Sequence, residues 1–157
     1  MKQIFVSVLL VFLLASCSDK KVKLDYPILP VGTVSTSYND IAFKAELGYD
    51  AENNMQFEMT SPAEMKGIVF SFIDDKLVLI KDDLMLEYDR TFSETVPLLM
   101  LNSIINGFNS KKPEFISIDN ELKADIDINN VSYEMIYDSQ NKNIKRIQAN
   151  SLIFEFN

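Results

Sequence analysis

Few side chains in this sequence of 157 residues could do chemistry, and the first of them is its one cysteine, Cys17. A thiol is nucleophilic as its thiolate, so it can be alkylated, oxidised or bound to a metal. Cys17 stands directly after Leu14-Ala15-Ser16, at the end of an apolar run from Ile4 that only Ser7 interrupts. Carboxylates form the second set: Asp74-Asp75, Asp82-Asp83 and Asp125-x-Asp127-x-Asn129. Paired acids work as general acid and base only when a cleft brings them together and shifts their pKa values. The two aspartate pairs fall where hairpin turns are expected. The third group begins like a calcium loop, but Asn130 and Ile136 stand where such a loop needs glycine and glutamate. It reads as the solvated face of a strand. Histidine is absent, which excludes a Ser-His-Asp or Cys-His arrangement and every His-ligated metal site. Gly32, Gly48, Gly67 and Gly107 spell no P-loop, dinucleotide fingerprint or nucleophile elbow. No catalytic residue, cofactor or metal is expected, and the chain reads as a non-enzyme.

The surroundings of Cys17 say what its thiol is for. Lys2 gives a positive start, Ile4 to Leu14 an apolar middle, and Ala15-Ser16 a small-residue cleavage site. The apolar run is shorter than the ~20 residues needed to cross a hydrocarbon core. Residues 1–16 therefore read as a secretory signal peptide. With cysteine next, the site resembles a bacterial lipobox, which implies a diacylglyceryl group on Cys17 and a cut before it. The plainer alternative is an ordinary signal peptide with a free cysteine nearby. Two acyl chains anchor stably where one is marginal, since each buried CH₂ contributes ~0.8 kcal/mol. The expected address is the extracytoplasmic side of a bacterial membrane, in an envelope of one or two membranes.

Losing residues 1–16 removes Lys2 and no acid, so the formal charge moves from −8 to −9. A domain this acidic is a poor fit to nucleic acid, and no basic patch is legible to hold it to lipid. With its cysteine committed, it has no internal disulfide and must be stabilised by apolar burial. Residues 17–31, with Pro27 and Pro30 and no sustained period, read as a lipidated tether. Fully extended, the ~14 residues from Ser18 to Val31 would reach roughly 45–50 Å. Residues 32–157 are left as one domain, expected as a monomer.

From Thr33 the signal is alternation. Ile41, Phe43, Ala45, Leu47 and Tyr49 share a face opposite Lys44 and Glu46. Met55, Phe57 and Met59 repeat the pattern, as do Phe70 and Phe72, Leu77 and Leu79, and Leu84, Leu86 and Tyr88. Leu122 to Ile128, Val131 to Tyr137, and Leu152, Phe154 and Phe156 continue it. Period two over short runs separated by Asn- and Asp-rich turns predicts a half-buried antiparallel sheet, built as a meander of hairpins. Strand spacing gives roughly nine to eleven strands. One segment breaks the period. Ser93 to Phe108 has Val96, Leu99, Met100, Ile104, Ile105 and Phe108 at helical spacing, with Ser93 placed to cap and Gly107 to help end it. The fold expected is mainly β (α+β): one curved, open antiparallel sheet, a half-barrel, wrapping one helix near 93–108.

The ordered series Phe43-Lys44-Ala45-Glu46-Leu47, Phe57-Glu58-Met59-Thr60-Ser61-Pro62, Met65-Lys66-Gly67-Ile68-Val69-Phe70, Asp75-Lys76-Leu77 and Leu84-Met85-Leu86-Glu87-Tyr88 resembles the LolA/LolB-like lipoprotein-carrier superfamily, small clostridial lipoproteins among them. The resemblance implies a curved antiparallel sheet over helices with an apolar cavity between. Those carriers are longer, with helices before and between their strands; no N-terminal helix is legible here. Phe43, Phe57, Met59, Phe70, Phe72, Leu86, Tyr88 and Phe154 are expected on the concave face. They form either a closed core or, in part, an open surface for an acyl chain or a partner's apolar segment. Three functions compete: a fixed apolar-binding lipoprotein, a carrier, and an accessory lipoprotein of cell-wall or spore-envelope processes acting through protein partners. A permanent anchor argues against shuttling.

Overall fold

The computed structural model describes residues 20–74, 76–89, 96–118 and 121–157. Alternation of apolar and polar residues produces twelve strands in one antiparallel sheet. They are β1 (Lys20–Val22), β2 (Gly32–Tyr38), β3 (Ile41–Tyr49), β4 (Met55–Ser61), β5 (Val69–Ile73), β6 (Lys76–Lys81), β7 (Leu84–Asp89), β8 (Phe115–Ile118), β9 (Glu121–Ile128), β10 (Val131–Asp138), β11 (Asn143–Ala149) and β12 (Leu152–Phe156). The single α-helix among the described residues, α1 (Pro97–Lys111), lies between β7 and β8 in the chain. The sheet is curved and open, mainly β with one helix on its concave side, as the periodicity predicts.

Spatial order is β1-β8-β9-β10-β11-β12-β2-β3-β4-β5-β6-β7. Two meanders meet where β12 pairs with β2, and Thr33 and Asn157 exchange backbone hydrogen bonds of 3.1 and 2.9 Å. Gly32 is needed at this seam. Its φ is +110°, and a Cβ there would lie 2.9 Å from the Asn157 carbonyl oxygen. The helix carries the chain from one open edge, β7, to the strands at the other. The expected simple meander is therefore interrupted by one long crossover.

Turn chemistry sets the registers. Asn39-Asp40 and Asn129-Asn130 each join two strands as a two-residue loop with positive φ at both positions. That is the turn twist that matches paired strands, and after glycine Asn and Asp tolerate it best. On β3 and β4 the residues predicted inward are buried at Ala45, Leu47, Met55, Phe57 and Met59, while Lys44 and Glu46 are exposed. A bulge in β11 sets Arg146 opposite Ile136 and Ile144 opposite Tyr137, leaving Lys145 over. Ile144 and Ile147, three apart, are both buried because of it.

The helix starts later and ends later than its sequence pattern suggests. Pro97 occupies its first turn, where a missing N–H costs nothing. Ser93, the expected cap, lies outside the described residues. Gly107 does not end the helix; Lys112 does, in the left-handed conformation at φ 47°, donating its N–H to the Phe108 carbonyl at 2.8 Å. Gly107 serves close packing instead: a Cβ there would meet Ile128 Cδ1 at 2.5 Å and Ile126 Cδ1 at 3.2 Å. Leu98, Leu99, Leu101, Ile104, Ile105 and Phe108 are buried on most of the helix circumference. Contacts with β2 and with β9 place α1 against both halves of the sheet.

The segment expected as a tether is built into the domain from Lys20 onward. Lys20–Val22 pairs with β8, and the Tyr26 hydroxyl donates to the Pro113 carbonyl at 3.0 Å. Ile28 and Pro30 are buried. The error has a physical cause. A three-residue edge strand and side-chain clamps on an irregular stretch leave no period to read.

Candidate functional site

Of the eight residues predicted for the concave face, five are core: Phe57, Met59, Phe70, Phe72 and Phe154 are at most 7 % exposed. Phe57 and Phe72 meet edge to face with ring centres 6.0 Å apart. Phe43 is partly buried against this cluster. Leu86 and Tyr88 share the face but stand at the open edge, 38 % and 37 % exposed. Strand register makes the gradient continuous. Phe57 is opposite Phe70, Phe70 opposite Leu79, and Leu79 opposite Leu86, so one apolar row runs from the core out to β7.

Two clefts on the concave side lie where α1 begins. A cleft of about 600 Å³ lies among Tyr38, Asp40, Pro97, Met100, Ser151 and Leu152. A second, of about 190 Å³, lies among Met100, Ser103, Ile104, Ile128, Val131 and Tyr133. Both are lined by Met100, and the tips of three hairpins supply the rest together with Pro97, Ser103 and Ile104 of α1. None of these residues was singled out as a site residue from sequence. Met100 is apolar on an already apolar helix, and Val131 and Tyr133 continue an ordinary strand alternation. Only the topology, which gathers the β2–β3, β9–β10 and β11–β12 turns near the start of α1, distinguishes them.

The acids are placed as solvated turns and faces. Asp74, Asp82 and Asp83 are exposed, and Asp125 and Asp127 lie on the exposed side of β9. No group of three or more His, Cys, Asp or Glu that could hold a metal ion occurs among the described residues. Exposed ion pairs decorate the surface. Glu121 accepts from Lys145 at 2.6 Å, which holds its carboxyl below the usual range. Glu114 is lowered likewise by Lys21 at 3.0 Å. Cys17 lies outside the described residues, and no described helix is long and apolar enough to cross a membrane.

Comparison with protein-family models, curated proteins and solved structures finds no match to this chain.

Proposed function

We propose that this protein is a non-enzymatic lipoprotein, held on the extracytoplasmic face of a bacterial membrane by a diacylglyceryl group on Cys17, that binds an apolar ligand or acyl chain on the concave side of its sheet. One observation carries the ligand: two clefts share Met100 at the start of α1, the larger of about 600 Å³, within the ~300–1,000 Å³ usual for ligand sites. Pro97, Ile104, Ile128, Val131 and Leu152 give these clefts apolar walls, and a flexible methionine between them can adapt to a chain. Phe57 and Phe72, by contrast, serve as the packed floor of the domain. Attachment of β1 at Lys20 leaves three residue steps from Cys17, a reach of only ~10 Å. The cleft-bearing domain therefore sits against the lipid surface that would supply an acyl chain.

Two experiments test the two halves. Cys17→Ala should release the protein from the membrane fraction or leave its precursor unprocessed; retention after signal removal and a high-salt wash would refute the anchor. A fluorescent fatty-acid titration should saturate and be blocked by Val131→Trp, which fills the smaller cleft.

A second reading has its own observation. Strand β7 is exposed throughout and carries Leu84, Met85, Leu86 and Tyr88, four large apolar residues each at least 37 % exposed, at an end of the sheet. An accessory envelope lipoprotein would use this edge to add an extended strand from a protein partner. Leu86→Glu should then abolish partner capture and leave fatty-acid binding intact.

A further inference from the structure

A polar cavity of about 190 Å³ opens at the side of α1 facing the ends of β3 and β5, and it shares no lining residue with the clefts around Met100. Asn102, Asn106 and Asn109 project from successive turns of the helix along one stripe. Facing them are Tyr49, Asn53 and Asp74, over a floor of Met55, Phe72 and Ile105.

Some of these polar groups are already committed to structure. Asn109 is bonded to the backbone of Ile28 through both ends of its amide. Asn54, also in the lining, caps its own turn through Asp50. Others are not used up in that way. Asn106 donates Nδ2 to Asn102 Oδ1 at 3.3 Å and keeps its own Oδ1 as an acceptor, while Asn102 is only 5 % exposed. The Tyr49 hydroxyl is buried and has no hydrogen-bond partner among the described residues.

Among the described residues the lining contains amides, a phenol, one carboxylate and no cation. Amides donate and accept side by side, which matches neighbouring hydroxyls or an acetamido group. The absent cation and the carboxylate of Asp74 disfavour anions. Phe72 and Met55 give an apolar wall for the C–H face of a ring.

We infer that this cavity binds one neutral pyranose ring, with Asn102 and Asn106 reading its hydroxyl or acetamido groups. Asn53 and Asp74, both exposed, form the rim at which the rest of a glycan would leave. The inference does not depend on the apolar clefts or on Cys17.

The test is an NMR titration of the protein with N-acetylglucosamine and, separately, glucose and glucuronate. Saturable shifts should appear at the side-chain amides of Asn102 and Asn106 with at least one neutral sugar, and glucuronate should bind more weakly. Asn106→Leu, on an exposed position, should weaken binding roughly tenfold while the protein still unfolds in one cooperative thermal transition. No saturable shift with either neutral sugar would overturn the proposal and leave a cavity that holds only water. Preference for glucuronate, or an affinity untouched by Asn106→Leu, would overturn it equally.

Discussion

Asn109 holds Ile28 the way a neighbouring strand would, although 81 residues separate them. Its Oδ1 accepts the Ile28 N–H at 2.7 Å, and its Nδ2 donates to the Ile28 carbonyl at 3.0 Å. An amide side chain carries a donor and an acceptor side by side, so it can satisfy both backbone atoms of a residue at once. It joins the segment after β1 to the last turns of α1, and so joins the end nearest the proposed lipid anchor to the core.

Removing that clamp should loosen the N-terminal segment before the rest. Asn109→Leu leaves two partly buried backbone groups unpaired and should cost about 1–3 kcal/mol in urea unfolding. Amide exchange at Ile28 should accelerate far more than at Ile147. Uniform acceleration across the sheet would show that the segment is not held separately.

Register predicts a contrast between the two faces. Phe70 is 4 % exposed and packs in the row from Phe57 to Leu86, so Phe70→Ala should cost ~3–5 kcal/mol. Lys44, exposed on the other face of β3, should cost under ~0.5 kcal/mol on replacement by Ala. Equal small losses would contradict the assigned faces.

At Gly107 two effects oppose each other. Alanine favours a helix interior by ~1 kcal/mol over glycine, but its Cβ would meet Ile128 Cδ1 at 2.5 Å and Cγ1 at 3.1 Å. Crowding of this kind costs ~1–3 kcal/mol, so Gly107→Ala should destabilise. Ile128→Val removes Cδ1, and in that background Gly107→Ala should become neutral or stabilising. Thermal denaturation of the four proteins gives the sign directly.

Stability should fall at both ends of the pH scale, for different reasons. The carboxyl of Asp50 is lowered by the side chain and then the backbone of Asn54, and that of Asp138 by the backbone N–H groups of Asn141 and Gln140. A depressed carboxylate stabilises the fold above its unfolded pKa of ~3.9, and that contribution is lost as pH falls through the folded value. Burial raises the hydroxyl of Tyr26 to about 12 and raises that of Tyr49 as well. A raised phenol stabilises fully below its unfolded pKa of ~10 and loses that contribution as pH climbs above it. Thermal midpoints should be flat through neutrality, with Asp50→Asn shallowing the acid limb and Tyr49→Phe the alkaline one. An acid limb unchanged in Asp50→Asn would contradict the turn assignment.

How much was legible follows from where the period survives. Strands such as β3, β4, β9 and β10 have one face buried and turns of Asn and Asp, so Ala45, Leu47, Phe57 and Ile126 could be read as inward. Strand β11 hides its pattern behind a bulge that brings Ile144 and Ile147 to one face. Strands β1 and β8 span three and four residues, too short for any period, so in sequence β1 looks like part of a tether. The concave aromatic stripe was visible, but burial at Phe57 and exposure at Leu86 are set by distance from the open edge. Alternation carries no information about that distance. The clefts around Met100 and the amide stripe on α1 arise from which turns and strand ends the crossover helix meets, a fact of topology.

The most direct test is native mass spectrometry of the protein purified without detergent, followed by fatty-acid titration of the delipidated form. Co-purified lipid and saturable binding, both lost in Val131→Trp and kept in Leu86→Glu, are the predicted result. Absence of bound lipid together with no saturable binding would contradict the apolar site, as would binding that Leu86→Glu alone removes.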